Sequence, residues 1–302
     1  MSEKGNRSQE SEEFVISKTG TQESAGSVVG KKKPQESEGF LLHKSLAFVD
    51  THAHYDDPKF DKDRGTLIPE IHAAGCTAII NCATDLKSCE KILKLMEKYP
   101  YVYGAMGVHP HEVKGLDVDD LEEIFAYATA SPKVVAIGEI GLDYHYDFSP
   151  RDVQQDFFCE QCELAIELEK PIIVHSREAA QDTYDIVSEY AQADLNGVIH
   201  SYTGNLEMAE RYVEMGFYLG IGGMITFPDV KKILRTVKEI PLDYLLLETD
   251  SPYLAPVPNR GQRNDSRNIP FVAAKIAELK GISVEEVMSA TTANAKRLFG
   301  IK

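Results

Sequence analysis

The fold is decided by how the first apolar run of the chain ends, at residues 47–54, which read AFVDTHAH. This run leads directly into Asp50, His52 and His54, with no glycine-rich turn after it. An open, doubly wound sheet usually has a glycine-rich turn after its first strand. A (β/α)8 barrel instead places polar residues at the carboxyl ends of its strands. The stretch therefore favours a barrel over the open sheet.

The same unit, an apolar run followed by an amphipathic stretch, recurs along the rest of the chain. The runs are apolar without alternation, which is typical of parallel strands covered on both faces. Strand alternating with helix predicts βαβ units, and eight units over about 250 residues match a barrel. The predicted strands are Ala47–His52, Thr77–Ala83, Tyr101–Val108, Lys133–Ile140, Pro171–His175, Gly197–Ser201, Phe217–Gly222 and Tyr244–Thr249. The predicted helices include Leu86–Lys98, Arg151–Glu169, Ala179–Ala191 and Leu206–Met215, with two or three closing helices between Arg267 and Leu298.

The charge of the chain is strongly acidic and unevenly distributed. The 302 residues carry a formal net charge of −16, which disfavours a protein that neutralises many phosphates along DNA. Residues 1–46 hold seven basic residues and seven Glu, so the remainder carries the whole excess. The segment 1–45 is poor in apolar residues and predicts a disordered extension, because it cannot bury enough surface to offset its ordering entropy. We therefore expect one barrel over residues 46–302.

The cysteines and the hydropathy pattern bear on the compartment. Five cysteines, an odd number in a long chain, argue against a disulfide framework, and Cys159 and Cys162 fall in a helical pattern as side chains of one face. No stretch is long and apolar enough for a membrane span, and no signal-peptide pattern opens the chain. These features predict a cytoplasmic protein, or a nuclear one if it is eukaryotic, without membrane association or an obligate protein partner.

Residues with metal-binding chemistry collect at the ends of the predicted strands. The spacing His52-x-His54 puts two imidazoles on one face of a strand. Buried ionisable groups are costly unless something pairs with them, and metal ions are the economical partner. The predicted ligands are His52, His54, Glu139, His175, His200 and Asp250. Four imidazoles and two carboxylates suit divalent ions of the Mg, Mn or Zn class.

The number of ligands predicts two ions and a hydrolytic reaction. Six ligands are more than one open catalytic site requires, and Glu139 is the natural bridge between two ions. Asp250 is the expected general base for the attacking water. A phosphate substrate also needs donors at the rim, for which we predict His109, Arg177, Tyr253, Arg260 and Arg263. Asp143 is expected to fix a loop or a neighbouring ligand.

The motifs at the strand ends resemble those of the TatD family of metal-dependent deoxyribonucleases, within the wider amidohydrolase-like metal-barrel group. They are FVDTHAH (48–54), GVHPH (107–111), IGEIGLDY (137–144), HSR (175–177), HSYTG (200–204) and ETDSPYLAP (248–256). The resemblance covers residues 47–300 and departs at Ser201 and Tyr202, where the family often has Cys and Phe. Neither position is an expected ligand.

The resemblance implies both a ligand arrangement and a substrate. One ion would be held by His52, His54, Glu139 and Asp250, and the other by Glu139, His175 and His200. It also implies DNA cleavage, commonly as a 3′-to-5′ exonuclease on single strands, in DNA repair or DNA degradation. With the acidic charge, this predicts weak and local binding at DNA strand ends.

Two other function classes remain open. A metal-dependent amidohydrolase or esterase acting on a small C–N or C–O bond would use a similar barrel. That group's two-metal members typically bridge with a carboxylated lysine, where this chain has Glu139. A non-catalytic scaffold would keep the barrel, but retention of all six predicted ligands argues against it.

Overall fold

The computed structural model describes residues 46–302, and the predicted extension over residues 1–45 lies outside the described residues. All strand pairs are parallel, and the eight strands form one sheet in chain order. The predicted (β/α)8 barrel is thereby confirmed. The strands are β1 (Phe48–Ala53), β2 (Cys76–Cys82), β3 (Val102–Met106), β4 (Val134–Asp143), β5 (Ile172–Arg177), β6 (Gly197–Ile199), β7 (Tyr218–Ile221) and β8 (Leu245–Leu247).

Helices alternate with these strands, and two more helices follow the last strand. Their starts carry the expected signals: Asp85 and Ser88 form a capping box at the start of α2, and Ser283 accepts a hydrogen bond from Glu286 N at the start of α9. The helices are α1 (Arg64–Ala73), α2 (Leu86–Lys98), α3 (Val118–Thr129), α4 (Arg151–Glu167), α5 (Ala180–Ala191), α6 (Leu206–Glu214), α7 (Lys231–Glu239), α8 (Ile269–Lys280) and α9 (Val284–Phe299).

The barrel closes between β1 and β8 through a seam of polar contacts. Asp250 N donates to His52 O at 2.9 Å, and His54 N donates to Ser251 O at 2.8 Å. The Asp50 carboxylate, fully buried, accepts from Thr249 Oγ1 at 2.7 Å and from Ser266 Oγ at 2.6 Å. The first strand, the end of the last strand and the segment before α8 are therefore joined at one place.

The core lies on both sides of the strands. Side chains such as Val49, Ile80 and Ile173 pack together inside the barrel, and a larger apolar cluster lies between the strands and the helices. Phe299 and Ile301, at the end of α9, belong to the interior cluster. Because they pack beside residues near the starts of the strands, α9 covers the amino-terminal end of the barrel. The opposite end is left open.

Six strands differ in length from the sequence prediction, and three of these differences bear on the position of Asp143, His200 or Asp250. β4 continues to Asp143, three residues past the predicted end, because Gly141 and Asp143 pair with His175 and Arg177 of β5. β6 ends at Ile199 and β8 at Leu247, so His200 and Asp250 lie in the loops just beyond these strands. His200 N still donates to Val174 O at 2.9 Å, which keeps the residue at the rim.

Between residues 46 and 302, no helix combines the length and the apolar character that crossing a membrane requires. All five cysteines are free; Cys162 of α4 is buried and Cys159 is partly buried.

Candidate metal centre

A cavity of about 670 Å³ opens at the carboxyl ends of the strands. Six of the ionisable side chains that line it are buried, although the cavity itself is open to solvent. The predicted ligands His54, Glu139, His175, His200 and Asp250 line it, and His52 lies directly beneath with no exposed surface. The fold thus brings all six predicted ligand residues together.

His52 of β1 and His54, directly after the end of β1, face one oxygen of Glu139. His52 Nε2 and His54 Nε2 are 3.0 Å apart, and they lie 3.3 Å and 3.6 Å from Glu139 Oε2. Asp250 Oδ1 lies 3.5 Å from His54 Nε2 and 3.9 Å from His52 Nε2. His52, His54 and Glu139 form one group of atoms close enough together to hold a cation, and Asp250 forms a second such group with His52 and His200.

The second oxygen of Glu139 faces a different set of imidazoles. Glu139 Oε1 lies 2.9 Å from His175 Nδ1, 3.8 Å from His109 Nε2 and 3.9 Å from His200 Nε2. His200 Nε2 is also 4.0 Å from Asp250 Oδ1, so it stands between the two sets. His109, which we predicted as a phosphate contact, groups with Glu139 and His175 as a third potential ligand.

Polar groups outside the cluster contact one nitrogen of three of these imidazoles, so that the other nitrogen faces the centre. His54 Nδ1 lies 2.9 Å from Cys82 O, and a carbonyl can only accept, so Nδ1 carries a proton and Nε2 is the nitrogen that faces the cluster and could bind a metal. His200 Nδ1 lies 3.0 Å from Glu248 Oε1, and His175 Nε2 lies 3.0 Å from Asp143 Oδ2. This is the arrangement that histidine metal ligands commonly adopt.

The electrostatics of the cluster favour added positive charge. Burial by itself lowers the pKa of His54, but the carboxylates of Asp250 and Glu139 raise it to about 9. Burial also opposes the charged form of His200, yet Glu248, Glu139 and Asp250 raise its pKa to about 10. Burial raises the pKa of Glu139, but the surrounding imidazoles hold it well below its usual range. A divalent cation supplies the charge that these carboxylates otherwise draw from protons, so the donor set fits a metal.

The predicted phosphate donors divide into two groups. Arg177 and Tyr253 line the cavity; the Arg177 guanidinium carbon lies 4.8 Å from the centre of the Tyr146 ring, and Tyr253 OH donates to Asp57 Oδ2 at 3.1 Å. Arg260 and Arg263 do not line it. Arg260 lies over the ring of Phe227 at 4.2 Å, and Arg263 pairs with Asp63 through both terminal nitrogens. This placement disfavours the predicted phosphate contacts of Arg260 and Arg263.

Sequence reasoning gave no role to two buried carboxylates beside the centre. Glu248 accepts from Ser201 N at 2.7 Å and faces His200, while Asp50 accepts from His52 N at 3.3 Å. Burial raises the pKa of Asp50 to about 7, against hydrogen bonds from Ser266 and Thr249 that lower it. Each stands two residues before a predicted ligand at the end of an apolar run. A carboxylate within an apolar run is the sequence signal that could have identified these two residues as part of the site.

Gly141 offers a test of how tightly the rim is built. Its φ is 131°, and a Cβ there would overlap the backbone oxygen of His175. We expect Gly141→Ala to lower the free energy of unfolding by at least about 2 kcal/mol, because backbone strain and overpacking add. Urea denaturation measures the effect. Gly65→Ala, in α1 with no neighbour within 4 Å, is the control and should leave stability unchanged or raise it by up to about 1 kcal/mol. Equal stabilities of the two variants would contradict the prediction.

Comparisons with known proteins agree with this geometry. The profile of a family described as "TatD related DNase" matches residues 49–300. A Bacillus subtilis protein named as the uncharacterized metal-dependent hydrolase YabD is 42% identical over 252 residues, covering 83% of this chain and 98% of its own length. The Citrobacter rodentium protein named 3′-5′ ssDNA/RNA exonuclease TatD is 33% identical over 248 residues, covering 80% and 94%. A crystal structure of the TatD homologue YjjV from Escherichia coli superposes with a TM-score of 0.80 at 33% identity, covering 85% and 99%.

The barrel and the His/Glu/Asp cluster at its rim, with these relatives, define a metal-dependent hydrolase. The family match spans most of the chain, and it agrees with the resemblance carried by the strand-end motifs. The chain belongs to the TatD-related DNase family.

Proposed function

We propose that the protein is a 3′-to-5′ exonuclease that hydrolyses phosphodiester bonds of single-stranded DNA, with two divalent ions as cofactors. The position of Glu139 carries the proposal: its two carboxylate oxygens face two separate groups of imidazoles at distances of 2.9 to 3.9 Å. A carboxylate in that position suits a bridge between two cations. The name of the Citrobacter rodentium relative supports the substrate class.

Two divalent ions at this centre would lower the pKa of a water and stabilise charge on phosphate oxygens. Glu139 and the imidazoles of His52, His54, His175 and His200 would hold them. Asp250 is the base we assign, because its Oδ1 borders the ligand group and its side chain keeps 18% exposure to the cavity. Its pKa is lowered, since the neighbouring histidines outweigh the burial that would raise it. It is therefore ionised and can accept the proton of the attacking water.

Arg177 is the phosphate donor that the cavity supports best. It is exposed at the end of β5 and lines the same cavity as the metal centre. A guanidinium can bind two phosphate oxygens at once. The ions add about four positive charges at the mouth of an otherwise acidic barrel, so binding should be local to the strand end and weak.

An assay with labelled single-stranded DNA tests the activity. The protein is treated with EDTA and then supplied with Mg²⁺, Mn²⁺ or Zn²⁺, and strands labelled at the 5′ end are followed by length. We expect stepwise shortening from the 3′ end that is abolished by EDTA and restored by a metal. Strands with a blocked 3′ end are the control and should persist. Hydrolysis of small amides or esters, with no release of nucleotides under any metal, would contradict the nuclease and favour the amidohydrolase alternative.

A further inference from the structure

Two exposed aromatic side chains stand on the loop between β4 and α4. Tyr146 is 48% exposed and Phe148 is 60% exposed, whereas most aromatic side chains of residues 46–302 are buried or partly buried. Their rings are stacked, with centres 5.2 Å apart and planes 16° from parallel. Apolar surface of this kind is costly in water, so a partner that covers it is favoured.

This aromatic pair lies beside the metal centre. The His111 ring is 5.5 Å from the Tyr146 ring and 4.9 Å from the Phe148 ring. His111 Nε2 lies 3.0 Å from Asp143 Oδ2, and the same oxygen faces His175 Nε2 at 3.0 Å. One imidazole and one carboxylate therefore connect the pair to the predicted ligand His175, and Tyr146 lines the same cavity.

Hydrogen bonds hold the loop in place at both ends. Asp143 Oδ1 accepts from Tyr146 N at 3.0 Å, while Asp147 pairs with Arg151 at 2.9 Å. Ser149 Oγ donates to His111 O at 3.1 Å. The rings are thus positioned before anything binds, which reduces the conformational entropy that is lost on binding.

The charges around the cavity distinguish its two sides. Asp56, Asp57 and Asp85 line the side that follows β1 and β2. The other side has Arg177 over the face of Tyr146 at 4.8 Å. The first side is the more negative of the two even with Lys91, and on the second side, which also holds Glu112, Arg177 is the cation beside the aromatic pair. The aromatic pair therefore lies where a phosphate of a nucleic-acid strand would find a positive partner.

We propose that Tyr146 and Phe148 form a stacking platform for a base of the single strand, next to the nucleotide that is removed. The inference rests on the proposed exonuclease function and names the part of the strand that this rim recognises. Every base has a π face, so such a platform binds single strands with little sequence preference. It also provides affinity that does not depend on a basic surface, which suits a chain with a net charge of −16.

Fluorescence of 2-aminopurine tests the platform independently of cleavage. The probe base is placed at the last or the penultimate position of a 12-nucleotide strand whose 3′ linkages are phosphorothioates, so that the strand binds without being shortened. The chain contains no Trp, which leaves the probe signal clear. Binding to the metal-loaded protein is titrated for the wild type, Tyr146→Ala, Phe148→Ala and Phe148→Tyr. Phe125→Ala removes an aromatic of similar exposure, 38%, from α3 and outside the cavity, and is the matched control.

We expect the wild type to quench the probe and Phe148→Ala to lose the quenching, with Kd raised about 5- to 150-fold, the range measured for loss of one base stack. Phe148→Tyr should restore binding, and Phe125→Ala should match the wild type.

Equal quenching and Kd for Phe148→Ala and the wild type would overturn the platform, as would no binding of the strand. A quenched probe with no shortening of ordinary strands would uphold the platform and reject the exonuclease. Shortening of ordinary strands together with an unchanged Kd in the variants would uphold the exonuclease and reject the platform.

Discussion

Replacing Glu139 with Ala should release both metal ions and lower turnover by at least about 10²- to 10³-fold. Glu139 is 3% exposed, and its two oxygens each face a different group of imidazoles. Removing it deletes a donor from both groups at once, and Asp250, the other carboxylate near both groups, approaches only His200 of the second group, at 4.0 Å. The bound metal per protein, measured by mass spectrometry after dialysis, should fall from two toward zero.

The matched control is Glu112→Ala, which removes an exposed carboxylate from the same cavity but outside the ligand groups. It should keep both ions. Thermal unfolding is measured for each variant to establish that it is folded. A lower metal content of a folded variant then reports the loss of a ligand and not the loss of the fold. A folded Glu139→Ala protein that retains two ions would refute the bridge.

Asp250→Asn should keep at least one ion and still lose about 10²- to 10⁴-fold in turnover, the range for loss of a general base. The amide oxygen of Asn can occupy the position of Asp250 Oδ1, 3.5 Å from His54 Nε2, but it cannot take a proton from water. Single-turnover cleavage of a saturating single strand measures the step directly. Metal content is determined on the same samples.

The pH dependence separates a base from a ligand. A base with a lowered pKa is ionised at neutral pH, so wild-type turnover should fall only as the pH drops toward the pKa of Asp250. The residual turnover of Asp250→Asn should lack that acidic limb. If the variant loses its ions and its turnover together, Asp250 acts as a ligand alone. Turnover within twofold of the wild type would exclude both roles.

The barrel could be predicted from the sequence because each strand is marked by a pattern within its own few residues. Unalternated apolar runs such as Thr77–Ala83 and Pro171–His175 mark strands covered on both faces, and polar residues mark where each run ends. The convergence of the six predicted ligands follows from topology alone, since parallel strands bring their carboxyl ends to one rim. The exact strand ends depend on pairing with neighbours, which the sequence of one strand does not contain.

The arginines after β8 show where this reasoning stops. Arg263 was predicted to bind phosphate because it follows a strand end, yet it pairs with Asp63, two hundred positions earlier in the chain. The path of a long loop is set by such distant partners. His109 shows the converse, because the fold places it with Glu139 and His175, at the edge of the ligand cluster.

The seam between β1 and β8 makes the centre depend on the whole length of the polypeptide. His52 is contributed near the start of the described chain and Asp250 near its end, and Asp50, Thr249 and Ser266 lock the two together. During synthesis, a ribosome-bound chain that has not yet released residue 250 cannot assemble the full ligand set. The ligand set of a hydrolase of this design is therefore incomplete until translation has passed its last strand.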